Sequence, residues 1–171
     1  MTLTELFEDK TLNAKGKTEK LSALLLDETI STQAVIAFAQ NTKDADRGTC
    51  MEAFEYATRL NSSLATRACL DFATEHLGHK APRVQWESAK VIGNIAPYFQ
   101  DDLEPAISGL LINTEHSGTV VRWAAAFALG EIVKLKLPIN KDLVPTLENI
   151  IEREEKNSIK KIYQAALKKI K

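Results

Sequence analysis

The chain is poor in the residues that end or bend secondary structure: 7 Gly and 5 Pro in 171 residues. A fold of many short strands and tight turns draws heavily on both, so such a fold is excluded. Cysteine is scarce too. Cys50 and Cys69 form no CxxC pair, so neither a disulfide framework nor a zinc ribbon is encoded. There is no excess of charge of either sign, with 22 Lys+Arg against 23 Asp+Glu. That argues against a surface shaped as a whole for nucleic acid, though not against a local basic patch. There is no long apolar run. The longest stretch without a charge, Thr29 to Thr42, has 14 residues with Ser, Thr, Gln and Asn among them, too short and too polar to cross a bilayer. The acidic start Met1-Thr2-Leu3-Thr4-Glu5-Leu6-Phe7-Glu8-Asp9 lacks the apolar core of a secretory signal. No GxGxxG, P-loop, HExxH or GxSxG occurs. These absences lead us to expect a cytoplasmic, non-enzymatic protein without membrane anchor, cofactor or metal, its two thiols buried. His76, His79 and His116 are too few to make a metal site without further ligands.

What the chain does have is alanine, 21 residues of it, within a hydrophobic content of 44%. Abundant Ala with few breakers favours helix. The Ala positions are also periodic. Arg83-Val84-Gln85-Trp86-Glu87-Ser88-Ala89-Lys90-Val91-Ile92-Gly93-Asn94-Ile95 superposes on Val120-Val121-Arg122-Trp123-Ala124-Ala125-Ala126-Phe127-Ala128-Leu129-Gly130-Glu131-Ile132 at a shift of 37, matching Val, Trp, Ala, Gly and Ile. A further shift of 38 reaches Ile159, Ile162, Tyr163, Ala166, Leu167 and Ile170, and a backward one reaches Cys50 to Ala57. A second pattern alternates with it: Asp102-Leu103-Glu104-Pro105 returns as Asp142-Leu143-Val144-Pro145 at a shift of 40. Proline in a first helical turn costs little, since those N–H groups lack an intrahelical partner. Val121, Ala124, Ala125, Ala128, Leu129 and Ile132 lie on one helical stripe. Gly78, Pro82, Pro97, Gly118 and Pro138 punctuate the helices. Each unit is thus a pair of helices that cannot bury its apolar faces alone, whereas a stack can. Gly93 and Gly130 recur at one repeat position. Because Gly inside a helix costs about 1 kcal/mol against Ala, their recurrence predicts close approach by a neighbouring helix.

The stretch Val121 to Ile132 resembles the inner helix of HEAT and HEAT-like repeats, particularly the short variety of phycobilisome lyases, and the Asp-Leu-x-Pro openings are similar to the outer helix. The resemblance covers roughly Thr29 to Lys171. It implies an all-α, right-handed α-solenoid of about four stacked HEAT-like helical pairs forming a single domain. The units are an N-terminal cap, 1–28, then 29–60, 61–98, 99–137 and 138–171. In one respect the chain departs from the family. An Asp three residues before the Val often forms a ladder with an Arg one residue after it, and here the Asp slots hold Ala81 and Gly118. The ladder is therefore absent or replaced.

The resemblance also implies that the second helix of each pair lines a concave binding face. Successive rows on that face hold Arg47, Gln85, Arg122 and Lys160; then Gly48, Trp86, Trp123 and Lys161; then Glu52, Lys90, Phe127 and Ala165; then Tyr56, Asn94, Glu131 and Lys169. Trp86, Trp123, Phe127, Arg122, Lys90, Gln85, Arg47 and Tyr56 are the candidate partner-binding residues, since aromatic and Arg side chains are enriched at binding hot spots. Alternatively the Trp rings tuck against neighbouring helices and extend the core. The expected function is a non-catalytic module holding a protein or peptide. The alternatives are a nucleic-acid-binding or alkylpurine-glycosylase-like protein and a bilin-lyase-like activity. No Asp stands beside the Trp pair, and a balanced charge gives few phosphate contacts. A homodimer face is a third reading of the same strip. The last helix has Lys156, Lys160, Lys161, Lys168, Lys169 and Lys171 and no acid. It reads either as a polar terminal cap or as a basic patch.

Overall fold

A computed structural model describes all 171 residues. Ten α-helices follow one another: α1 (Leu3–Glu8), α2 (Ala14–Leu26), α3 (Thr32–Gln40), α4 (Asp44–Leu60), α5 (Arg67–Glu75), α6 (Pro82–Ile95), α7 (Glu104–Asn113), α8 (Thr119–Val133), α9 (Asn140–Arg153) and α10 (Asn157–Lys169). Short 3-10 turns sit at Ser62–Leu64, His76–Gly78, Ala96–Tyr98 and Gln100–Asp102. There is no strand, and no helix is long and apolar enough to cross a membrane.

Local chemistry starts the helices. Side chains of Asn13, Ser31 and Thr66 accept the N–H of Gly16, Ala34 and Cys69, and Thr2 with Glu5 closes a capping box. Pro82 opens α6 and Pro105 lies in the first turn of α7. The repeat pattern places Pro145 in a first turn as well, but α9 begins earlier, at Asn140, and Pro145 lies inside it. The turn after Leu137 already winds as helix, and the Asn140 side-chain amide donates to the Val133 carbonyl, 2.8 Å away. This ties the start of α9 to the end of α8.

The even-numbered helices α2, α4, α6, α8 and α10 pack side by side as an inner row, and α3, α5, α7 and α9 each cover the inner helix that follows. One continuous core of 40 buried residues runs from Leu6 to Leu167, so the helical pairs are not independent beads. Ala53, Ala57, Ala89, Ala124, Ala125, Ala128 and Ala166 are all buried and let the inner helices come close. The recurring glycines lie in these close contacts. A Cβ on Gly93 would stand 2.6 Å from Phe127 Cε1 and 3.2 Å from Ala128 Cα, and one on Gly130 would stand 3.3 Å from Ala166 Cβ. Both glycines are therefore seats of the inter-repeat interface.

Candidate binding surface

The first row of candidate residues turns away from the open face and toward the loops. Arg47 donates to the carbonyls of Ala39, Gln40 and Thr42 and to Asp44 Oδ1, 2.7 Å away. Gln85 is buried and donates to the Leu77 carbonyl. Arg122 donates to the carbonyls of His116 and Ser117. In three successive repeats, the same position thus ties an inner helix to the end of the outer helix before it or to the joint that follows. These carbonyls sit where a helix leaves acceptors without intrahelical partners. Arg122 also makes a two-point pair with Glu154, Nε to Oε2 at 3.1 Å and Nη2 to Oε1 at 3.3 Å. Glu154 comes from the segment joining α9 and α10, so a carboxylate from outside the family's Asp slot supplies the link between repeats. Burial pushes the Glu154 carboxyl up, but hydrogen bonds from Arg122 and the Lys156 N–H hold it below its usual range.

Farther toward the N-terminus, Glu52 bridges three inner helices. It accepts from Thr18 of α2 and pairs with Arg83 of α6. The next layer is centred on Lys90. Its ammonium lies 3.3 Å from Glu87 Oε2 and 3.8 Å from Glu55 Oε2, while Arg59 Nε reaches Glu55 Oε1 at 3.1 Å. Burial raises the pKa of Glu87, Lys90 opposes that shift and Glu55 adds to it. Half-buried Trp86 packs against the core, and its indole N–H donates to Glu87 Oε1 at 3.0 Å. Trp86 is thereby committed at its polar end.

Trp123 is not so committed. It is 40% exposed and stacks, not on Trp86, but on Phe127 one turn along its own helix, with ring centroids 6.1 Å apart and planes 6° from parallel. Trp123, Phe127, Lys90, Glu55 and Arg59 line a cleft of ≈ 260 Å³ between α8 and the α4–α6 layer. Tyr56 is exposed beside it, its ring under the Arg59 guanidinium at 5.0 Å. The structure therefore brings Lys90, Trp123 and Phe127 together, sets Tyr56 beside them, ties Trp86 to the Glu87 that Lys90 also engages, and directs Arg47, Gln85 and Arg122 to main-chain carbonyls. Glu55 and Arg59 were not among the sequence candidates. Their signal was an acid–base pair spaced i, i+4 on the inner helix.

His79 and His116, 37 residues apart, do the same work. Each Nδ1 accepts the backbone N–H two residues on, from Ala81 at 3.0 Å and Gly118 at 2.8 Å. His79 Nε2 faces Asp44 Oδ1 at 3.4 Å, which fits a neutral ring with its proton on Nε2. Desolvation lowers the His79 pKa, Asp44 pulls it up, and Arg47, His76 and Lys80 push it down. Because the folded value lies below the unfolded one, stability is full above about pH 6.5 and declines as pH falls through that range. Urea unfolding at about pH 7.5 and about pH 5.5 is expected to show that decline, and a smaller one in His79→Asn. Equal slopes in both proteins would show that His79 does not couple. No cluster of three or more His, Cys, Asp or Glu side chains is placed to hold a metal. Cys50 and Cys69 are buried free thiols, and burial pushes the Cys50 thiol up to about 12, far from a reactive thiolate.

No protein-family model matches the chain, and no curated protein matches it. Solved structures do. A designed armadillo repeat protein in complex with the peptide (KR)4 superposes with a TM-score of 0.73 at 16% identity, covering 98% of this chain and 80% of that one. The complex of CpcE and CpcF of phycocyanin lyase from Nostoc sp. gives a TM-score of 0.74 at 17% identity, covering 96% of each chain. A second designed armadillo repeat protein gives 0.72 at 16% identity, with 92% and 75% covered. The fold is therefore that of a HEAT/armadillo-like helical repeat solenoid, all-α and right-handed. At these identities the likeness speaks to architecture alone.

Proposed function

We propose that the protein is a non-catalytic interaction module that holds an extended segment of a protein partner along the inner face of the solenoid. The observation that carries this reading is the cleft bounded by Trp123, Phe127 and Lys90. Its polar floor is already paired internally, through Glu55, Glu87, Lys90 and Arg59. Its aromatic wall is the part left open to a visitor. An exposed indole stacked on a half-buried phenyl ring, over a charge-balanced and partly buried floor, is the composition of a hot-spot pocket for one anchoring side chain. The peptide held by a designed armadillo neighbour lends support to peptide binding as a mode, not to that peptide as the ligand. The engagement of Glu55, the carboxylate lining the cleft, by Arg59 and Lys90 supports the non-enzymatic side of the proposal, because the acid beside the aromatic wall is already paired. Two buried free thiols are in keeping with a reducing, cytoplasmic setting.

Trp123→Ala is expected to weaken a peptide selected from a display library by about tenfold or more, measured by titration calorimetry. Ile112→Ala, at a 74% exposed position on outer helix α7, is expected to leave affinity unchanged. Equal affinity for wild type and Trp123→Ala would overturn the assignment.

A further inference from the structure

We propose that the partner segment is acidic and that it runs from the Trp123 cleft across Phe127 into a second groove between α8 and α10. This rests on the concave-face reading and deepens it by fixing the charge of the partner. Phe127 borders both clefts, so one extended chain passes from the first to the second without leaving the face. The second groove has a volume of ≈ 190 Å³, with Gly130, Ile162, Ala165 and Ala166 lining it and Lys134 and Lys169 at its sides. Its small floor residues leave room for an apolar side chain. Glu131 also borders it, but is occupied by an ion pair with Lys134.

The charge left unpaired beside this groove is of one sign. After Glu155 the chain carries Lys156, Lys160, Lys161, Lys168, Lys169 and Lys171 and no acid. None of these six ammonium groups takes part in an ion pair. Lys161, Ala165 and Lys169 follow one another at single-turn intervals, so they share a stripe, and all three are exposed.

Helix electrostatics accounts for only two of these six charges. Lys168 and Lys169 lie in the last turn of α10, where cations complement the negative end of the macrodipole. Lys156 is the N-cap residue of α10, its side chain makes no cap hydrogen bond, and Lys160 and Lys161 follow within five positions of the helix start. Lys156 and Lys160 face the positive end of the dipole and work against the helix, and Lys161 lies just past the first turn, where the dipole does not favour a cation either. A terminal cap needs polarity and would be better served by acids at those positions. Lys169 borders the apolar groove, Lys161 lies on the same stripe two turns back, and neither ammonium is paired, an arrangement that matches a ligand bringing negative charge with its apolar anchors.

The probes are two short fluorescein-labelled peptides, one alternating Leu and Glu and one alternating Leu and Lys, followed by fluorescence polarisation at about 0.1 M salt. Wild type is expected to bind the Glu peptide in preference, with affinity falling as salt rises. The double variant Lys161→Glu/Lys169→Glu changes only exposed side chains, and its folding is checked by thermal melting. It is expected to lose about tenfold in affinity for the Glu peptide and to gain for the Lys peptide. Wild-type preference for the Lys peptide, or an unchanged affinity in the double variant, would overturn the acidic partner. If the preferred peptide in that case still lost binding in Trp123→Ala, the concave-face reading would stand without it. Failure of wild type to bind either peptide would overturn both.

Discussion

Gly93→Val is expected to destabilise the protein by about 3 kcal/mol, at the upper end of what overpacking a well-filled core costs. The reason is geometric. The new Cβ would stand 2.6 Å and 3.0 Å from two atoms of the Phe127 ring and 3.2 Å from the Ala128 Cα. The ring could turn away, but the Cα belongs to the backbone of α8 and moves only if the helix does. Because α6 and α8 sit mid-stack, separating them opens the one continuous core on both sides. For a chain of this length the melting temperature should fall by about 10 °C. Gly130→Ala supplies the contrast. There the nearest atom is a methyl group at 3.3 Å, and the helix-propensity gain of about 1 kcal/mol offsets the small shift required. Its stability is expected to lie within about 1 kcal/mol of wild type. Similar losses in both variants would show that the recurring glycine is not a measure of helix approach.

Arg122→Ala is expected to cost about 3 kcal/mol or more, because it leaves a buried carboxylate without its cation. The Glu154 side chain is 4% exposed and that of Arg122 17%. The same deletion strips donors from the carbonyls of His116 and Ser117. The pH dependence should move as well. With the Glu154 carboxyl held below its ordinary value, its contribution is present above about pH 4.5 and is lost as pH falls through the lower, folded value. In Arg122→Ala that source of acid sensitivity is removed. Urea unfolding at about pH 7 and about pH 4 should therefore show wild type and variant converging toward low pH. A constant difference between them would mean that the pair does not carry the effect.

The repeat was legible because it is written in side-chain size and spacing, which helix geometry converts directly into faces. The Gly93 and Gly130 match implied close approach, and the distances bear that out. The rows of the inner face were legible in register but not in direction. Arg47 and Arg122 have long side chains that reach back to loop carbonyls, and helical register does not encode that choice. The two Trp residues share a repeat position yet differ in environment. Residue 87 is a glutamate that engages the Trp86 indole, while its counterpart, Ala124, offers Trp123 nothing. Glu154 was missed because it enters from a different offset than the family's Asp, through the joint between α9 and α10. Glu55 and Arg59 reach the cleft from α4, on the far side of α6 from Trp123, a relation among three repeats that no single repeat encodes.

The central claim is that the inner face, with Trp123 at its middle, is where a partner is held. Two tryptophans give two indole N–H resonances, a readout suited to testing it. Titrating a display-selected peptide into 15N-labelled protein is expected to shift the Trp123 indole together with the amides around Lys90, Phe127 and Ala165, and to leave α3, α5, α7 and α9 unchanged. Perturbations confined to those outer helices, with the Trp123 indole unmoved at saturation, would contradict the account.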